Sequence, residues 1–188
     1  MTSTRDQIIA KTCELLELQG YHATGLNQII QESGSPKGSL YYHFPGGKEE
    51  LAIESLQRIG ALVLARIRAN LARHDDPADA VQGFIETIAA AVEQSDFKAG
   101  GPITTIALET AASSERLRAA CAQIYADWQA AFAARLVAGG IAAACAASLA
   151  TLTIAAIEGG VILCRTGRSR APLEQVAQEI GRLIRNSS

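Results

Sequence analysis

Apolar residues recur at three- and four-residue steps along nearly all of the 188-residue chain, and no segment alternates with period two. That pattern predicts helices throughout. Ile8, Ile9, Thr12, Leu15 and Leu16 form the inner side of a first helix over about 5–19, which Gly20 stops. Leu26, Ile29 and Ile30 stripe a short second helix in the stretch TGLNQIIQES, where Thr24 is placed to cap it. Gly34 supplies the positive φ that ends this helix cheaply, while Ser35 is placed to cap a third and Pro36 to open it. Leu40 and Phe44, four apart, share one face of that third helix and can pack it onto the second. After the turn Pro45-Gly46-Gly47, the residues Leu56, Ile59, Val63, Ile67 and Leu71 mark a long helix over 48–73, close to 40 Å at roughly 1.5 Å per residue. Further helices are expected over 78–95, 104–110, 115–138, 142–166 and 172–185, with a glycine-containing loop over 97–102.

The third helix has polar and aromatic residues left over once its apolar face is assigned. Tyr41 and Tyr42 stand about 100° apart on a helix, so both cannot face the core beside Leu40 and Phe44. At least one points outward, where its hydroxyl can reach a phosphate. Helix, glycine turn and short second helix make a helix-turn-helix. With Gly20-Tyr21, Thr24, Gly34, Lys37-Gly38, Leu40-Tyr41, Phe44 and Lys48-Glu49-Glu50-Leu51 at their spacings, the segment resembles the DNA-binding signature of the tetracycline-repressor (TetR) family of bacterial transcription factors. The turn PGGKEEL resembles a subgroup of that family, whose C-terminal half also resembles this chain around GGPITTIALE, AIEGGVILCR and APLEQVAQEI. Ser35-Pro36 stands where many members have Val-Ser, and Gly101 where the subgroup usually has Cys. The resemblance implies DNA contacts from Lys37, Tyr42 and Lys48, with Ser39, Tyr41 and His43 near the groove. The candidate DNA-binding set is Thr24, Ser35, Pro36, Lys37, Gly38, Ser39, Tyr41, Tyr42, His43 and Lys48.

Charge makes this reading more demanding. The chain carries a net −2. In residues 1–50, Arg5, Lys11, Lys37 and Lys48 face the six acidic residues Asp6, Glu14, Glu17, Glu32, Glu49 and Glu50. Binding to a polyanion must then depend on where the cations sit, and modest nonspecific affinity follows. Cys13, Cys121, Cys145 and Cys164 form no CxxC pair and read as small buried hydrophobes of a reducing, cytoplasmic compartment. Met1 leads directly into a polar, helix-capping segment with no signal-peptide pattern. Residues 136–157 are uncharged over 22 positions, long enough to cross a bilayer. Gly139-Gly140 breaks that run, alanine dominates it and no basic cluster flanks it, so it reads as a core helix and no membrane is expected. No nucleophile-base-orienter set, phosphate-binding glycine loop or metal-ligand spacing is found, so neither an enzyme nor a cofactor or metal is expected.

The remaining candidates lie in the C-terminal part. Aromatic residues on facing segments suggest the wall of a ligand cavity, and the candidate set is Phe84, Ile88, Thr104, Thr105, Leu108, Tyr125, Trp128 and Phe132. Glu109 is a possible polar anchor there, and Glu158 a partner for a ligand cation or for a local hydrogen bond. Leu149, Leu152, Ala156, Gly160, Val176, Ile180 and Leu183 repeat on the last two helices and suit an intersubunit four-helix bundle. The expected protein is all-α: a three-helix helix-turn-helix domain over 1–47, joined by a long helix to a larger ligand-binding and dimerisation domain over 48–188. The partners implied are a double-stranded DNA operator, a small apolar or aromatic effector and a second copy of the chain. The rival is an all-helical small-molecule-binding or interaction protein that never touches DNA.

Overall fold

The computed structural model describes residues 3–187 and, among them, nine helices and no strand. Met1, on which the expectation about the N-terminus turned, and the ends of both expected domains lie outside the described residues. The helices are α1 (Thr4–Ala23), α2 (Leu26–Ser33), α3 (Lys37–His43), α4 (Gly47–Leu71), α5 (Pro77–Gln94), α6 (Pro102–Thr110), α7 (Glu115–Ala138), α8 (Ala143–Gly167) and α9 (Ala171–Arg185). They form two compact units. The first holds residues through Ala61 together with Gly101–Ile124, and the second Leu62–Gly100 together with residues from Tyr125 onward. α4 and α7 each contribute to both.

In the first unit, Ile8, Ile9, Leu15, Ile29, Leu40, Phe44 and Leu51 close one core, with Cys13, Leu26 and Ile30 packed against it. The helix ends differ from the sequence reading in instructive ways. Gly20 takes φ 76 and ψ −174 and breaks α1, but a further turn follows to Ala23. Thr24 does not cap α2: Gly25 is the N-cap residue, and the Thr24 hydroxyl donates back to the Gly20 carbonyl at 2.6 Å. Ser35 does not cap α3 either, because Pro36 is itself the N-cap residue, with no side-chain cap. Gly34 does adopt the left-handed conformation, φ 65, at the end of α2. Asp76 accepts from the Asp79 N–H to cap α5, and Ser114 accepts from the Leu117 N–H to cap α7.

In the second unit α5, α8 and α9 pack together around Phe84, Ile85, Ala150, Ile154, Ala177 and Ile184. Gly160 lets α8 and α9 approach closely: a methyl group there would lie 2.6 Å from Leu173 Cδ2. α8 is long and apolar enough to cross a membrane by length and composition alone. The uncharged run is nevertheless interrupted as expected, since α7 ends at Ala138 and α8 begins only at Ala143. Nine α8 residues, from Ala146 to Cys164, are buried inside the protein. The four cysteines are free, with Cys121 and Cys164 buried and Cys13 and Cys145 half-buried. Burial pushes the Cys13 and Cys121 thiols above the ordinary cysteine range.

Candidate nucleic-acid interface

α3 is short, and its register divides it cleanly. Leu40 and the following Phe44 are fully buried, which fixes the rotation of the helix on the head core. Gly38, Tyr41 and Tyr42 point away from that core and Lys37 opens the helix, all four exposed, Tyr42 at 82% and Tyr41 at 46%. Ser39 and His43 are half-buried at the edges of this face. The His43 ring stands edge-on to Tyr42 at 5.1 Å and to Phe44 at 6.3 Å, so it wedges between the outward and inward aromatics. Pro36 is exposed just before the helix. Gly38 has open space where a side chain would be.

Two members of the expected set face the other way. Thr24 is 1% exposed and its hydroxyl is committed to Gly20, so it joins α1 to α2 and offers no side chain to a partner. Ser35 is 6% exposed, and its hydroxyl, buried without a hydrogen-bond partner, is turned into the head. Both sit at sequence positions where a cap was reasonable. The N-cap fell one residue later in each case, because the chain leaves the preceding turn extended through Gly25 and Pro36.

Few cations remain for a polyanion. Arg5 is bound to Glu54 and lies over the Phe44 ring, Lys11 pairs with Glu14, and Arg58 with Asp6. Among the described head residues this leaves Lys37 and Lys48 outside salt bridges. Lys48 is half-buried. Its ammonium lies 4.4 Å from the centre of the Tyr21 ring and donates to the His22 carbonyl at 3.4 Å. Burial holds its pKa below the ordinary lysine range, and the charge of Glu109 acts in the opposite sense.

Glu109, read from the sequence as a possible polar anchor for a ligand, is tied to α1: the backbone N–H groups of Tyr21 and His22 donate to its Oε2 at 2.6 and 3.0 Å. The last turn of α1, restarted after the break at Gly20, thus receives its cap from α6. A side chain at Gly20 would collide with the same carboxylate, so the glycine serves both conformation and space. A second tie lies beside it, where Glu49 accepts from the Ser114 hydroxyl at 2.6 Å and from Arg116 at 2.9 Å. No local sequence signal pointed to these ties, since both join segments more than sixty residues apart.

The expected ligand set has members in both units. Thr104, Thr105 and Leu108 belong to the first unit, and Leu108 is 79% exposed. Phe84, Ile88, Tyr125, Trp128 and Phe132 belong to the second. There Phe84 meets Phe132 and Tyr125 meets Trp128, each edge-on at 5.5 Å, and Tyr125 donates to Glu158 at 3.2 Å. Of the expected dimer residues, Leu152 and Leu183 are exposed, and Ala156 and Val176 half-buried. Leu149, Gly160 and Ile180 are buried within the protomer.

Comparison with known proteins agrees with this architecture. Residues 8–54 match the model of bacterial regulatory proteins of the tetR family. Residues 77–179 match that of the LmrA/YxaF-like transcriptional regulator C-terminal domain. The chain is 43% identical over 182 residues to the HTH-type transcriptional regulator YxaF of Bacillus subtilis, covering 97% of this chain and 95% of that one. It is 38% identical to the HTH-type transcriptional regulator LmrA of the same organism, covering 97% of each. A TetR transcriptional regulator from Legionella pneumophila has the same fold, with a TM-score of 0.85 at 20% identity over 97% of this chain and 98% of that one.

Proposed function

The chain belongs to the tetR family of bacterial regulatory proteins and is a DNA-binding transcriptional regulator; from that premise we propose that it is a ligand-responsive repressor, binding a near-palindromic operator as a homodimer. The observation that carries the reading is the division of α3. Complete burial of Leu40 and Phe44 leaves Gly38, Tyr41 and Tyr42 on the free side, with Lys37 exposed in the first turn beside them. In this reading α3 enters the major groove, Tyr42 and Lys37 meet phosphates, and Gly38, Ser39 and Tyr41 lie against base edges. Lys48, at the start of α4, reaches a flanking phosphate. An interaction module without DNA has no use for that set on one face of the head.

The same reading assigns the exposed apolar residues of α8 and α9 to a second copy of the chain, and the aromatic group around Trp128 to a small apolar or aromatic effector. The reading also takes the PGGKEEL turn, together with the likeness of residues 77–179 to LmrA/YxaF-like regulators, as the mark of one subgroup, and expects the protein to act in the cytoplasm. Selection of bound fragments from random duplex DNA by the purified protein tests the central claim. A recurrent motif with two inverted half-sites is expected, centred about one helical turn apart or somewhat more. Recovery of unenriched sequence would remove the operator, and with it the repressor.

A further inference from the structure

Glu109 stands outside the reading motif, yet its charge acts on Lys48, a half-buried cation of the head that is in no salt bridge. Three contacts converge there. The Glu109 carboxylate holds the Tyr21 and His22 N–H groups at 2.6 and 3.0 Å. The Lys48 ammonium donates to the His22 carbonyl at 3.4 Å, one peptide from those groups. The Tyr21 ring lies 4.4 Å beneath the same ammonium. Lys48 is therefore seated in a small internal site made of a carbonyl, an aromatic face and a nearby carboxylate, all in the first unit.

We propose that Glu109 competes with DNA phosphate for Lys48, so that a side chain of α6 sets how strongly the reading head holds DNA. The proposal rests on the assignment of Lys48 to a phosphate. For Lys48 to reach DNA, its ammonium must leave this seat, and the Glu109 carboxylate loses the attraction of that charge. Glu109 then draws a cation from solution, offsetting one of those released from the DNA. The head pays twice for this contact, once in the broken internal attraction and once in reduced counterion release. A lysine at the same place without Glu109 would bind DNA more tightly and with a steeper salt dependence. Because Glu109 caps the end of α1 by accepting hydrogen bonds, a glutamine can keep that role through its amide oxygen while removing the charge.

The test is a set of four proteins: wild type, Glu109→Gln, Lys48→Gln and the double variant. Each is titrated against one labelled duplex, taken from the wild-type selection, over a range of salt concentrations. Glu109→Gln is expected to tighten binding on the order of threefold, the size of an exposed ion pair. It should also steepen the log–log salt slope by up to about one. Both effects should vanish when Lys48 is already glutamine. Equal tightening in both backgrounds would reduce Glu109 to a general repulsion and overturn the proposal. So would unchanged or weakened binding by Glu109→Gln when Lys48 is retained. A Lys48→Gln protein that matches wild type in affinity and slope would instead dismiss the phosphate assignment itself, a distinct failure. A second variant, Glu109→Met, also removes the charge while keeping the length of the side chain, and is read in the same way. Unchanged or weakened binding by a folded Glu109→Met protein would overturn the proposal even if Glu109→Gln failed to fold.

Discussion

At the scale of residues, the reading face of α3 pairs one free cation with a glycine that nothing inside the protein requires. Lys37 is exposed and in no salt bridge, so its replacement removes charge without disturbing the fold. Lys37→Ala is expected to lower the log–log salt slope of DNA binding by about one, with affinity falling similarly across sequences. An unaltered slope would take Lys37 off the phosphates. Gly38 has nothing within 4 Å of the position a methyl would take, and it lies in a helix where alanine is favoured by up to about 1 kcal/mol. Gly38→Ala should therefore raise the thermal midpoint of the free protein while weakening operator binding, because the open space is where the duplex approaches. A variant that gains stability and keeps full affinity would show that the glycine has no part in the contact. The outward residues of α3 were legible because Leu40 and Phe44 fix the helix rotation from sequence alone. Thr24 and Ser35 were not, since a cap and a buried hydroxyl one residue away have the same local pattern.

At the scale of elements, all nine helices were foreseeable from apolar periodicity, but the ties between them were not. Periodicity reports which face of a helix is buried and says nothing of which distant carboxylate meets it. Glu49 shows this well, since in sequence it is only an acidic residue in the first turn of α4. In the structure the Ser114 hydrogen bond, aided by the charge of Arg116, holds its carboxyl below the ordinary glutamate value of 4.5. A carboxyl whose folded pKa is depressed adds stability that is present above its unfolded pKa and lost as pH falls through the folded one. The wild type should accordingly exceed Glu49→Gln in unfolding midpoint at neutral pH, with the gap closing below about pH 4.5. A gap constant down to strong acid would mean that the tie contributes no pH-dependent stability. Gly20 was read as a simple helix stop. Its φ of 76 with ψ of −174 belongs to a region that glycine almost alone occupies, and Glu109 fills the space beside it. Gly20→Ala should destabilise the protein by about 1–3 kcal/mol in denaturant unfolding. A loss within a few tenths would mean that the turn relaxes freely.

At the scale of the whole molecule, one protomer supplies one reading helix, and the second unit carries a surface suited to pairing two of them. Along α8, Leu152, Ala156, Gly159 and Leu163 follow one another at steps of four, three and four, and Leu152 and Leu163 are 45% and 59% exposed. On α9, Val176 and Leu183 stand seven apart, the latter 39% exposed. Exposed leucines repeating on one face call for a partner surface. The buried half of the same sequence pattern, Leu149, Gly160 and Ile180, is spent inside the protomer, where Gly160 admits Leu173. Sequence alone merged the two halves because one stripe continues around the helix into the other. Leu163→Asp and Leu183→Asp each put a charge on the outward half and leave the protomer core untouched. They are expected to yield folded monomers in sedimentation at micromolar concentration. Linking two heads raises affinity for a two-part site by about 10²–10⁴, so a monomer should lose roughly that factor on the full operator. Its affinity for a single half-site should stay as it was. A dimer that persists in both variants, with operator affinity intact, would put the interface on another face and leave these leucines for a different partner.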